Sequence, residues 1–386
     1  MYAETGDRSL LEALEKIWQD VAYRKMYVTG ATGALYDGAS PEGSKDHSSI
    51  QLVHQAYGRA YQLPNVTAYN ESCATVGFVL WNWRMLSITA QARFADLLEL
   101  GLYNGVLATI SLDGTKFFYK NSLRQIQDVP FELRWSDKRE PYISCFCCPP
   151  NTVRTIAEVA GYAYSFSDEG VWINLYGGNV LDTHLPDGSP IRLQQHTEYP
   201  WEGTIRIAVE ESPQKEFSVF LRIPGWTEGA RVTVNGELFA AHLRPEKYFE
   251  IRRKWSAGDR IELILPMSVQ LLEAHRLVEE ARNQVAIRRG PIVYCLESVD
   301  LPEHVGIMDV TVSPEAPFQH RHVKDLLGGV TVLETKANVR AGEDWGDTLY
   351  RRITTEKSKA IDIRLIPYYA WGNRSNCEMT VWIPVR

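Results

Sequence analysis

Residues Cys145-Phe146-Cys147-Cys148-Pro149-Pro150-Asn151-Thr152-Val153-Arg154-Thr155-Ile156-Ala157-Glu158-Val159-Ala160-Gly161-Tyr162-Ala163-Tyr164 lead, after a short polar break, into Val171-Trp172-Ile173-Asn174-Leu175. Within this stretch the period of the apolar residues changes. Val153, Ile156, Ala157, Ala160 and Tyr164 recur at helical spacing, and proline's fixed φ and missing N–H suit a first turn, so a helix is predicted to open at Pro150. Val171, Ile173 and Leu175 alternate with Trp172 and Asn174, which is the period of a strand.

The same division extends outward in both directions. Upstream, Asp7 can cap a helix carrying Leu10, Leu14, Ile17, Trp18 and Val21. A second helix is read through Cys73, Val76, Val79, Leu80, Trp83 and Leu86, and a third through Phe94, Leu97, Leu98, Leu102 and Val106. Downstream, Thr204–Val209, Phe217–Ile223 and Arg231–Val234 alternate as strands, and Asn235-Gly236 is a hairpin turn. Ile264, Ile363 and Ile383 lie in further strand-like runs. The expected class is multidomain, α then β, with the strands packed as one or two β-sandwiches.

Bulk composition bounds the function. The chain has 386 residues, 45% hydrophobic and 23% charged, with a net charge of -7. It carries no basic cluster interleaved with aromatics, which disfavours a nucleic-acid partner. No apolar run approaches the roughly 20 residues of a membrane span. The segment from Met1 to Asp7 has no signal-peptide pattern, so the compartment is left between cytoplasm and periplasm of a bacterium. The 11 Trp and 19 Tyr suit carbohydrate stacking, although core packing accounts for most tryptophans.

Half of the six cysteines fall between Cys145 and Cys148. The adjacent thiols Cys147 and Cys148 are poorly disposed to bridge each other, so metal binding or thiolate chemistry is the better reading. Glu71 and Cys73, at the start of the second helix, complete with Cys147 and Cys148 a set of one carboxylate and three thiolates that zinc accepts. The spacing is not that of a zinc finger or ribbon. Cys73 by itself reads more commonly as a small core residue, and Cys295 and Cys377, in strand-like segments, read as core residues outright. A cysteine before a helix N-terminus is pushed toward thiolate, so Cys147 or Cys148 could be a nucleophile, while a closed four-ligand structural site is the competing reading.

Leu63-Pro64-Asn65, Tyr69-Asn70-Glu71-Ser72-Cys73, Trp81-Asn82-Trp83-Arg84-Met85 and Cys147-Cys148-Pro149-Pro150-Asn151, in this order, resemble glycoside hydrolase family 127, the β-L-arabinofuranosidase-like proteins. Lys25 to Gly30 and Arg289 to Tyr294 resemble family sequence as well. The resemblance implies an (α/α)6 barrel (toroid) followed by two β-sandwich domains. Residues 1–165 would be the C-terminal half of the barrel, 166–272 the first sandwich, completed by 374–386, and 273–373 the second. It implies zinc held by Glu71, Cys73, Cys147 and Cys148, and Cys147 as the nucleophile of a retaining glycoside hydrolase acting on β-L-arabinofuranosides or a related plant cell-wall sugar. It also implies an oligosaccharide or polysaccharide-derived substrate and homodimers formed through the sandwich domains.

Two departures from the family pattern stand out. The acid/base position, sixteen residues before the zinc glutamate, holds Gln55, and an amide cannot shuttle a proton. Glu42, Asp46 and His54 are the neighbouring candidates, although His54 reads more readily as a hydrogen-bonded structural residue. An acidic pectin sugar resembling aceric acid is the alternative substrate, since it would bring its own carboxylate, and a non-catalytic zinc-stabilised carbohydrate-binding or structural fragment is the alternative from another class. The second departure is the start of the chain, which matches the middle of the family's helical domain. A half toroid would expose apolar helix faces, so the polypeptide alone is expected to be poorly soluble or inactive.

Overall fold

The computed structural model describes residues 2–34, 56–127, 129, 135–339, 346, 348–350, 352 and 358–386. Its helices are α1 (Tyr2–Thr5), α2 (Arg8–Arg24), α3 (Ser72–Thr89), α4 (Ala92–Leu100) and α5 (Cys148–Glu158). Asp7 caps α2, accepting from the Ser9 backbone N–H at 2.9 Å, as its position before the apolar stripe predicts. Trp18, Val21 and Ala22 of α2 pack on Phe78, Met85 and Leu86 of α3 and on Phe94 and Ala95 of α4. The Trp18 indole N–H is satisfied in this core by Asn82 Oδ1 at 2.9 Å. Ile17, expected in the buried stripe, faces outward instead.

α3 ends at Ala90, whose left-handed backbone turns the chain into α4. The expected third helix does not stay α-helical: Gly101–Val106 is a π-helical turn. Its buried Asn104 donates to Pro291 O and accepts from Val293 N–H, tying the helical part to a strand of the C-terminal sheet. The widened turn is what lets one side chain serve both partners. α5 opens at Cys148, two residues before the predicted Pro150, and closes at Glu158, so Tyr164 belongs to the first strand and not to the helix.

The strands follow in two blocks. Between Tyr164 and Ile264 lie a four-stranded and a six-stranded sheet. Their inward faces, including Val171, Ile173, Leu193, Ile207, Val219 and Leu263, share one buried core. Asn235 and Gly236, both at positive φ, make the predicted turn between Arg231–Val234 and Glu237–Ala241.

The second block is a ten-stranded sheet buried on both faces. Along Ile292–Glu297, Val293 and Cys295 face the helical part while Ile292, Tyr294 and Leu296 face the opposite core. Cys295 and Cys377 are buried, in keeping with their reading as core residues. Arg124–Gln125, from the helical part, pairs with Met379–Thr380 at the edge of this sheet. The last strands, Met379–Thr380 and Trp382–Pro384, pair with Ile292–Glu297 and Gln284–Arg289. The expectation that 374–386 completes the first sandwich is thereby corrected for its strands: their register is set by the C-terminal sheet, where Arg124 also reaches Thr380 and Trp382.

A buried ion cluster joins the helical part to the first block. Arg222, fully buried on Glu216–Ile223, donates to Asp96 and, at 2.6 Å, to Glu99, both on α4. Tyr199 Oη and the Gly225 N–H donate to the same two carboxylates.

Candidate metal centre

Glu71 and Cys73 stand at the N-terminus of α3, and the local sequence holds that end firmly. Asn70 takes a positive φ and its amide donates to Asn121 O, while Asn121 donates back to Asn70 O and to Ser72 Oγ. The Ser72 hydroxyl donates to Phe118 O and accepts from Thr109 Oγ1, and the Ser72 N–H donates to Tyr119 O at 3.0 Å. Gly33 passes close by: a Cβ there would stand 3.1 Å from Glu71 N, tight enough that the backbone would have to give by a few tenths of an ångström. Leu63-Pro64-Asn65 does its work further back. The Asn65 N–H donates to Glu280 Oε2 at 2.7 Å, and its carbonyl accepts from Leu123, anchoring the approach to Glu71 on the C-terminal sheet.

Cys147 is the N-cap of α5 and Cys148 its first residue, with Pro149 and Pro150 filling the turn whose N–H groups would lack partners in any case. Both sulfurs therefore sit at the positive end of the helix.

The four expected donors converge. Ligand atoms of Glu71, Cys73, Cys147 and Cys148 all lie within 4.8 Å of one another. Cys73 Sγ is 3.4 Å from Cys148 Sγ, Cys147 Sγ is 3.8 Å from Cys148 Sγ, and Glu71 Oε1 is 3.9 Å from Cys147 Sγ and 4.0 Å from Cys148 Sγ. A tetrahedral ion with bonds of about 2.3 Å needs ligand atoms about 3.8 Å apart. One carboxylate oxygen and three sulfurs at this spacing fit zinc in donor type and in geometry.

Within the cluster the thiols shift apart: Cys73 is drawn down to about 6, chiefly by its hydrogen bond with Cys148, while that bond pushes Cys148 well up and burial pushes Cys147 up to about 12.

Around the cluster, Tyr69, Tyr119, Ile143, Phe117 and Trp135 form an apolar wall. Tyr119 and Trp135 stack at 3.8 Å, and the Trp135 indole N–H donates to Tyr69 Oη at 3.1 Å. Sequence reasoning assigned no part to these aromatics or to Asn151, whose Nδ2 donates to Cys73 Sγ at 3.1 Å. The available signal for Asn151 was its place one helical turn after Cys147. Cys145 is exposed, its sulfur 3.8 Å from Cys147 Sγ, outside the four-donor set. Gln55, His54, Glu42 and Asp46 lie outside the described residues. No helix among the described residues is long and apolar enough to cross a membrane.

Known proteins match along the whole chain. Residues 1–161 match the beta-L-arabinofuranosidase GH127 catalytic domain, 170–267 its middle domain and 269–384 the glycoside hydrolase family 127 C-terminal domain. A non-reducing end beta-L-arabinofuranosidase of Bifidobacterium longum subsp. longum is 32% identical over 98% of this chain, which spans 56% of that relative's length. A solved structure described as a glycoside hydrolase superposes with a TM-score of 0.93 at 50% identity, over 100% of this chain and 63% of the other. Ara127N-Se, a GH127 beta-L-arabinofuranosidase from Geobacillus stearothermophilus T6, gives 0.89 at 37% identity, over 100% of this chain and 58% of its own. With all three domain models matched consecutively, and with the motifs that carry the resemblance gathered at one centre, the chain belongs to glycoside hydrolase family 127.

Proposed function

We propose that the protein is a zinc-dependent retaining glycoside hydrolase of β-L-arabinofuranosides or a related plant cell-wall sugar, with Cys147 as its nucleophile. The observation that carries this reading is the spacing of the four donors, with Cys148 buried and Cys147, like Cys73, half-buried. The names of its relatives lend further support.

The chemistry a bound zinc ion supplies is to keep the sulfurs deprotonated near neutral pH and to stabilise the Cys147 thiolate as a leaving group. Glu71, Cys73 and Cys148 anchor the centre on two helix ends. Cys147 Sγ attacks the anomeric carbon, so a C–S bond forms as the bond to the leaving oxygen breaks. Water then attacks the same carbon from the other side, the C–S bond breaks, and two inversions give retention. The leaving oxygen needs a proton and the attacking water must give one up; Gln55, at the position expected to exchange it, cannot, so the exchange falls to one of the neighbouring candidates Glu42, Asp46 and His54. The Gln55 amide is the observation favouring the second reading, an acidic pectin sugar whose own carboxyl supplies the proton.

The helical part is read as part of an (α/α)6 toroid. Its support is the α3–α4 hairpin together with Leu80, Val153, Ile156 and Val159, all facing outward from α3, α5 and the turn that follows. Residues 166–272 and 273–373 are read as the two β-sandwich domains.

The test is turnover of an aryl β-L-arabinofuranoside, with the first-formed anomer read by NMR. Cys147→Ser is expected to lose at least roughly 10⁴-fold in kcat. Full activity in that variant would sink the nucleophile, and an inverted product would sink retention.

A further inference from the structure

Three sulfurs converge on one centre, but only one of them can be the sulfur that leaves it to attack a substrate. Their neighbours differ. Asn151 Nδ2 donates to Cys73 Sγ at 3.1 Å. The Cys148 sulfur is buried. Cys147 Sγ has the thiols of Cys145 and Cys148 at 3.8 Å and Glu71 Oε1 at 3.9 Å, with no N–H donor among the described residues.

An N–H directed at a thiolate draws off charge, lowers its nucleophilicity and fixes its orientation. A thiolate without one keeps its full electron density. Asn151 is well placed to impose this difference. It sits in the first turn of α5, its N–H donating to Cys147 O and its carbonyl accepting from Thr155 Oγ1, so its side chain is carried by the same turn that carries Cys148. Turned the other way, its amide would set a carbonyl oxygen against the sulfur of Cys73.

We infer that Asn151 is a positioning residue that sorts the three thiolates, holding Cys73 on the metal as an unreactive ligand and leaving Cys147 as the sulfur free to attack. This rests on the zinc-thiolate reading above. Asn151 touches α5 and α3 at once, so it also couples the two halves of the donor set.

The experiment compares the full chain with Asn151→Ala and Asn151→Asp. Cobalt(II)-loaded protein reports the sulfur-to-cobalt charge-transfer band and, by chelator competition, metal affinity. Zinc-loaded protein is then alkylated with iodoacetamide and mapped by peptide mass, with exposed Cys145 as the internal reference. The wild type is expected to be labelled at Cys147 with Cys73 protected. Asn151→Asp keeps the shape but replaces the donor by a negative acceptor. It should shift the band, lower affinity by about 10–100-fold and expose Cys73 to labelling, and Asn151→Ala should do so less. A role in packing alone predicts the reverse order, with Asn151→Asp like wild type, and that result overturns the inference by itself. Absence of any thiolate-to-cobalt band in the wild type overturns the zinc reading and this inference with it.

Discussion

The cysteine centre at the start of α5 and the ion cluster beneath α4 are both buried constellations of ionisable groups, and they are balanced in opposite ways. Under α4, Arg222 meets Asp96 and Glu99, and Tyr199 and Gly225 supply further donors, so the protein itself provides the counter-charge. At the cysteine centre one carboxylate and three sulfurs face each other, and the Asn151 side-chain amide donates to one of those sulfurs. The first arrangement fastens the helical part to the strands that follow it; the second is a set of donors that could hold a metal ion.

The largest expected effect separates the two directly. Arg222→Met leaves two buried carboxylates without their cation and is expected to cost about 3–5 kcal/mol of unfolding free energy in urea titration. A loss under about 1 kcal/mol would mean the cluster behaves like an exposed ion pair. Metal removal comes next. Stripping the centre with a chelator should lower stability by about 2.7 kcal/mol relative to protein in free zinc at 100 times its dissociation constant. The two losses should add in the stripped Arg222→Met variant, because the clusters share no residue. A strongly non-additive result would show that α3 and α4 transmit one disturbance to the other.

The smallest effect is a pH dependence. Burial pushes the Asp96 carboxyl up to about 6, against the pull of Arg222 and helped by Glu99. A carboxyl raised in the folded state binds its proton more tightly there than in the unfolded chain. Its contribution is therefore fully present below about pH 4 and lost as the pH rises through 6. Asp96→Asn should flatten the stability profile across that window. An unchanged profile would place the titration elsewhere.

Much of this was legible along the chain because it depends on local chemistry. Asp7 before an apolar stripe caps α2, Asn235-Gly236 turns a hairpin, and the change of period after Tyr164 separates helices from strands. Glu71, Cys73, Cys147 and Cys148 could be named as one set because each stands at a helix start, and few other chemistries use three thiols and a carboxylate. The misreadings were non-local. Gly101–Val106 winds as a π-turn whose Asn104 bonds to Pro291 O and Val293 N–H, far away in sequence. The strands at Met379–Thr380 and Trp382–Pro384 look alike to any β-sheet, and only pairing with Arg124–Gln125, Gln284–Arg289 and Ile292–Glu297 assigns them to one.

Residue order alone thus determined the division into helices and then strands, the N-cap of α2, a tight turn and the membership of the donor set, since each rests on groups a few bonds apart or on residue types with few alternative uses. Long-range packing settled the rest: the 3.4–4.0 Å spacing of the donors, the amide of Asn151 on Cys73, the sheet that receives the final strands, and the meeting of Arg222 with Asp96 and Glu99. Those contacts join segments separated by scores of residues, and no local periodicity encodes which of many compatible partners a buried charge or strand edge will find.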